Sequence, residues 1–265
     1  MSKRLPPRAT WPLLGALAFL LAVPLLLFLG SLLSGRLIYG YDMITLGLPL
    51  HAEVRRSLAA HQWPLWLPDL LGGMPGIAAS NVSSLFPSDF IGALAGCSLR
   101  TQLCLDAILN VALAGLGMFA FLRRLDRSVS AALLGALFFA VSGSVLSQVY
   151  GGFYNMMAGI ALLPWAFWAA HKARQESSRF AWGLCGLVFA LQILAGAAQL
   201  FVYTLAAVLA FFCVLPPAGS GTFQSKSPGR WRAWEGVILA AVLAFFLAAP
   251  RLWTRGFHRR LHEPV

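Results

Sequence analysis

Long apolar runs punctuate this chain at residues 13–33, 101–122, 129–148, 156–170, 180–196, 199–215 and 236–250. A helix needs about 20 mostly apolar residues to cross the hydrocarbon core of a bilayer. In that medium each backbone N–H and C=O must find its partner inside the protein, which makes helices the expected form of such runs. Pro24, Pro164 and the glycines within the runs are compatible with membrane helices. Composition agrees: the chain is 59% hydrophobic and 11% charged, with a mean hydropathy of +0.74. A soluble domain carries about a quarter charged residues, so there is too little polar surface here to cover a water-facing fold. The expectation is an all-α, polytopic transmembrane protein of about six or seven spans. The first run follows Lys3, Arg4 and Arg8. It is too long for a secretory leader and ends at no small-x-small cleavage site, so it reads as a signal anchor.

Lysine and arginine number 20 against 9 acids, a net charge of +11 with an isoelectric point near 10.4. Charge of that size alone suggests nucleic acid, but its placement points elsewhere. Basic clusters lie at 3–8, 123–127, 172–179 and 226–232, whereas the alternate connections 150–155 and 195–198 carry no charge. This is the positive-inside alternation of a multi-pass protein, with the N-terminus in the cytoplasm of a bacterial inner membrane. No nucleic-acid partner is expected. Cys97, Cys104, Cys185 and Cys213 show no C-x-x-C pairing and sit in apolar surroundings, which reads as small apolar residues rather than a disulfide or zinc framework.

The same alternation puts residues 34–100 outside. In this segment Arg36, Arg55, Arg56 and Arg100 balance Asp42, Glu53, Asp69 and Asp89. Every other internal connection is short, and long ordered loops are commonly functional. Leu50, Val54 and Leu58 recur at helical spacing among Glu53, Arg55 and Arg56, the pattern of an amphipathic helix at the membrane surface. Pro64, Pro68, Gly72, Gly73, Pro75 and Gly76 then break the chain into turns. A second interfacial helix is expected over 84–95. No repeat or second soluble domain is evident: residues 1–250 read as one transmembrane domain, and 251–265 as an atypical basic tail.

An ordered set of motifs in this region resembles a known family. Tyr41-Asp42 follows the first span, then comes the amphipathic stretch with Arg55-Arg56, then Trp63-Pro64-Leu65-Trp66-Leu67-Pro68, Gly72-Gly73-Met74-Pro75, and Asn81 to Pro87 ending Leu85-Phe86-Pro87. Leu163-Pro164-Trp165 lies inside a later span, and Gly196-Ala197-Ala198-Gln199-Leu200 opens another. Together they resemble the YfhO-like bacterial membrane proteins of the GT-C glycosyltransferase type, over most of residues 34–250. The chain departs from that pattern at Leu67, where the family often has Asn, and at Ala197-Ala198, where it often has His-Pro. Members of the family are also longer. Arg251, Arg255, Arg259 and Arg260 would lie outside if 236–250 spans, against the charge rule, so an N-terminal fragment is expected.

The resemblance implies transfer of a sugar from a polyprenyl-phosphate donor to an extracytoplasmic glycan, polymer or lipid acceptor. Such chemistry needs a carboxylate to take the acceptor's proton and cationic or metal stabilisation of the leaving phosphate. Asp42 matches the family's acid after the first span and is the candidate base; the alternative is a solvated or helix-capping Asp. Arg55 and Arg56 are candidates for the phosphate, or for lipid headgroups. Asp106, in the outer part of the second span, either joins Asp42 in the site, with or without a divalent metal ion, or lies at headgroup depth. Trp66 shapes a sugar or lipid site or belongs to an interfacial aromatic belt with Trp63. Gln199 bonds substrate or links helices. His51 and His61 have no evident partner and read as surface residues. Asp69 and Asp89 read as turn or cap residues. A Walker loop, a dinucleotide fingerprint and a His-Glu-x-x-His motif are all absent, so ATP hydrolysis, nicotinamide chemistry and zincin proteolysis find no support. The other functional classes are a transporter or flippase and an inactive fragment of the family.

Overall fold

The computed structural model describes residues 11–36, 40, 42–70, 72–76, 96–176, 179–214 and 230–249. The expected helix at 84–95, the 251–265 tail, Tyr39, Tyr41 and Asp89 lie outside the described residues. What is described is predominantly helical. Helix α1 spans Trp11–Ser34 and is followed by one π-helical turn, Met43–Gly47, that runs into α2, Leu48–Ala59. A minimal antiparallel pair comes next, β1 (Trp66–Leu67) with β2 (Met74–Pro75), in the register Trp66 to Pro75 and Leu67 to Met74. The remaining elements are α3 (Leu99–Arg124), α4 (Val129–Ala140), α5 (Gly143–Gly151), α6 (Tyr154–Glu176), α7 (Arg179–Leu194), α8 (Ala198–Val214) and α9 (Arg230–Leu247).

Each of the apolar runs is predominantly helical over its described residues. Among the described residues three helical stretches are long and apolar enough to cross a membrane: Trp11–Ser34, Leu99–Arg124 and Val129–Gly151. Shorter apolar helices cover Phe180–Leu194, Ala198–Val214 and Gly236–Leu247. The run at 129–148 extends to Gly151 and is broken at Val141–Ser142 into α4 and α5. Ser142 takes an extended backbone there, the conformation of a helix-starting cap, so the helix restarts after it. Serine also starts α3 and α4, where Ser98 Oγ accepts from the Thr101 amide at 3.1 Å and Ser128 Oγ from the Ala131 amide at 3.2 Å. Glycine stops α5 and α7. Gly152 and Gly196 take left-handed φ of 82° and 92°, and the following amides, Phe153 and Ala197, reach back to the carbonyls of Gln148 and Gln192.

Small residues let the helices approach. A Cβ on Gly117 of α3 would sit 2.5 Å from Trp165 Nε1 on α6, and that same indole N–H donates to the Leu113 carbonyl at 2.9 Å. In the second half of the chain Ala166, Ala169, Ala170 and Ala173 of α6, Ala181, Cys185 and Phe189 of α7, Val208 of α8, and Ala240 and Ala244 of α9 form one buried cluster. Gln192, fully buried in α7, ties three helices: its Nε2 donates to the Gly159 carbonyl of α6 at 2.9 Å and to Thr204 Oγ1 of α8 at 3.0 Å. Such links suit helices that gain little from the hydrophobic effect against one another. The outward faces stay apolar, with Leu26 of α1 at 67% and Phe246 of α9 at 71% exposure. All four cysteines are free.

The close approach at Gly117 gives a direct test. Replacing Gly117 by Ala should lower the Tm in detergent by on the order of 5 °C, because the Trp165 ring must shift and overpacking costs about 1–3 kcal/mol. Gly183→Ala, where the added Cβ meets nothing within 4 Å, should leave the Tm within about 1–2 °C of wild type. Equal behaviour of the two variants would contradict the packing described.

Candidate functional site

The site is built where α1 ends and α3 begins. Gly40 lies so close to the Tyr150 carbonyl and the Gly151 backbone that a side chain there would collide with them. Met43, fully buried, packs under Gly152, whose missing Cβ would come 2.5 Å from Met43 Cβ. The connection from α1 to α2 is thereby pressed against the turn between α5 and α6. Asp42 sits between these two anchors, exposed, at the head of the π-helical turn. Its backbone is already helical and its carboxylate makes no side-chain cap hydrogen bond. Of the two alternatives to a catalytic role, the capping one therefore does not describe Asp42, and the solvated one fits its exposure.

Where α1 ends and α3 begins opens a cleft of about 1020 Å³. The end of α1 and the first turns of α3 supply its polar lining residues, Ser31, Ser34, Ser98, Thr101, Arg36 and Arg100. Leu32, Ile44, Leu48 and Leu99 form an apolar wall, two of them from the segment that Asp42 opens. Among the described residues no carboxylate lines the cleft.

The amphipathic stretch forms α2 as its spacing predicts. Leu50 and Val54 are buried, and they cluster with Leu67 of β1. Arg56 does not project freely: its Nη1 lies 2.8 Å from Glu53 Oε2 and 2.8 Å from Asp69 Oδ2, so two carboxylates offset its charge and fasten α2 to the segment after β1. Arg55 is half-buried, and its Nη1 has no hydrogen-bond partner among the described residues. Trp66 is 53% exposed on β1, with its indole over Gly73, where a Cβ would come within 2.6 Å of the ring. Trp63 is likewise exposed. Gln199 is exposed on the first turn of α8 and is not among the residues that line the cleft.

Asp106 is buried in α3 and lies within electrostatic reach of the Tyr154 phenol at the start of α6. One turn on, Asn110 Nδ2 donates to the Asp106 backbone carbonyl at 2.8 Å. Gln102 and Asn155 are buried on the same two helices. Asp42 is exposed and Asp106 buried, so the two carboxylates occupy different environments. Among the described residues no group of three His, Cys, Asp or Glu side chains could hold a metal ion.

His51 corrects the sequence reading. It is 4% exposed, on the inward face of α2 beside Leu50 and Val54, and meets the Tyr154 ring edge-on with centroids 6.5 Å apart. A polar residue one position from an apolar stripe can fall on either face of a helix, and here the hairpin and α6 cover it. Burial pushes the imidazole down to about 4. His61 stays exposed. Sequence reasoning also passed over Arg36 and Arg100, because arginines flanking a span read as membrane-edge charges. Their positions, one just after α1 and one just inside α3, were the available signal.

No protein-family model, curated protein or solved structure matches the chain.

The His51 geometry sets a pH dependence. The imidazole binds its proton less readily folded, at about 4, than unfolded, at 6.5. The unfolded chain therefore binds more protons between those values, and stability falls as pH drops below 6.5. Near pH 5 the loss is about 2 kcal/mol by linkage. Unfolding in detergent at pH 7.5 and pH 5 should show that loss in wild type and a smaller one in His51→Gln. Equal acid sensitivity in the two would remove His51 as its source.

Proposed function

We propose that the chain is a multi-pass protein of a bacterial inner membrane that transfers a sugar from a polyprenyl-phosphate-linked donor to an extracytoplasmic glycan, polymer or lipid. In this reading all the apolar helices cross, α4 and α5 together forming one broken span. The N-terminus is cytoplasmic and the ends of α1 and α3 that bear the cleft face outward. The observation that carries the reading is the cleft itself: about 1020 Å³, with a lining more apolar than polar and with Ile44, two residues after the exposed Asp42, in its wall. The order of motifs from Asp42 to Gln199, which resembles the YfhO-like GT-C proteins, supplies the reaction class.

The chemistry follows from those parts. An acceptor hydroxyl attacks the anomeric carbon of the donor sugar. A new C–O bond forms, the bond from that carbon to the phosphate oxygen breaks, and the polyprenyl phosphate leaves with the electron pair. The hydroxyl proton passes to the Asp42 carboxylate, which must stand within hydrogen-bond reach of the acceptor. Asp106, buried beside Tyr154, takes a supporting position behind α2, and Trp66 offers a ring face to a sugar at the exposed side.

A second reading, a lipid-linked sugar transporter, is favoured by the break between α4 and α5, since transporters use discontinuous helices near their substrates. An assay in proteoliposomes with a labelled lipid-linked sugar separates the two, because only the transferase makes a new glycosidic bond. In that assay Asp42→Asn should reduce transfer by about 10²–10⁴-fold with an unchanged Tm, since the exposed carboxylate contributes no cap bond. Wild-type turnover in the variant would remove Asp42 from the mechanism.

A further inference from the structure

We infer that Arg36 and Arg100, rather than the Arg55-Arg56 pair, bind the phosphate of a single-chain polyisoprenoid lipid in the cleft. This rests on the proposed function and assigns its donor phosphate to named residues. Two arginines line the same cavity from different helix ends, Arg36 just past α1 and Arg100 in the first turn of α3. Among the described residues no acid lines that cavity, so none of them offsets the two charges there. Arg56, by contrast, is spent on Glu53 and Asp69 at 2.8 Å each. Arginine presents a planar fork of donors that matches phosphate oxygens, and two of them suit the donor's singly charged phosphodiester and neutralise the polyprenyl monophosphate, of charge near −2, that leaves it.

The rest of the cavity selects the kind of phosphate. Leu32, Ile44 and Leu48 wall one side, so the occupant carries an apolar part next to its charge. Ile44 is half exposed and Leu33, next to Leu32 on α1, is 77% exposed, which continues the apolar surface out of the cleft and onto the outward face of α1. A free phosphate would leave that wall wet. A lipid with one long unbranched axis can place its phosphate between the arginines and lay its first isoprene units along the wall and α1. The cleft lies at the top of the size range of small-molecule sites, with room for a sugar ring as well.

The test uses the full chain purified in detergent and a fluorescent polyprenyl monophosphate, read by anisotropy. Wild type should bind it saturably, the double variant Arg36→Ala/Arg100→Ala should bind at least tenfold more weakly, and Arg36→Lys/Arg100→Lys should recover part of that loss. Arg55→Ala should bind as wild type does. Phosphatidylglycerol and inorganic phosphate at equal concentration should fail to displace the probe. Unchanged affinity in the double alanine variant overturns the assignment, as does displacement by phosphatidylglycerol, which would make this a general anionic-lipid site, or by inorganic phosphate, which would make it a free-anion site. Both arginines are exposed, and circular dichroism with the Tm checks folding; if the double variant does not fold, the single variants Arg36→Gln and Arg100→Gln carry the same comparison. Binding is measured without any acceptor, so its outcome is separate from transfer. Arginine-dependent binding with no transfer by wild type would sink the glycosyltransferase reading and leave the lipid-phosphate site standing. Transfer by wild type with arginine-independent binding would do the reverse.

Discussion

The close contact between α3 and α6 determines much of what the rest of the structure can do. Gly117 leaves room for the Trp165 ring, and the indole N–H donates to the Leu113 carbonyl at 2.9 Å, so a bulky aromatic is seated against backbone instead of holding the helices apart. At the far end of the same pair Arg124 Nη2 meets Glu176 Oε1 at 2.7 Å. A packed contact in the middle and an ion pair at one end fix both the separation and the relative register of the two helices. The ion pair alone would supply little at its partly exposed position; the small-residue packing supplies the closeness.

That fixed pair positions the other end. Ser98, Arg100 and Thr101 start α3 at the cleft, and Tyr154 starts α6 beneath α2. Helix α2 then has a floor to rest on: Leu50, His51 and Val54 turn inward, His51 against Tyr154. The α1–α2 connection is held at Gly40 and Met43 against the α5–α6 turn, where any side chain at Gly152 would strike Met43. Asp42 is thus exposed but not loosely placed. The chemistry proposed for it depends on backbone contacts made by two glycines some 110 residues apart in sequence, Gly40 and Gly152.

The helices were legible because hydrocarbon-scale apolar runs admit few other forms, and α2 because Leu50, Val54 and Leu58 mark one face. The break at Val141–Ser142 was hidden because apolar residues continue across it, and hydropathy does not register a change of backbone direction. The burial of His51 was hidden for a different reason: which face of α2 is covered depends on β1 and α6, far away in sequence. The cleft was the least legible part. Arg36 and Arg100 flank spans, where arginine ordinarily reports only the membrane edge, and nothing local says that the two approach one cavity. Glu53, one turn away on α2, was a legible partner for Arg56, whereas Asp69, beyond two prolines, was not.

The central claim is that the cleft end of this bundle and the Arg124–Glu176 end lie on opposite sides of a membrane. It is tested most directly by labelling single cysteines with an impermeant maleimide in right-side-out vesicles, in a chain whose native cysteines are replaced by alanine. Gln62→Cys, on the exposed turn after α2, and Arg127→Cys, on the exposed turn after α3, probe the two ends. The account predicts that position 62 labels in intact vesicles and position 127 only after permeabilisation. Labelling of both from the same side, or of position 127 alone from outside, would contradict it.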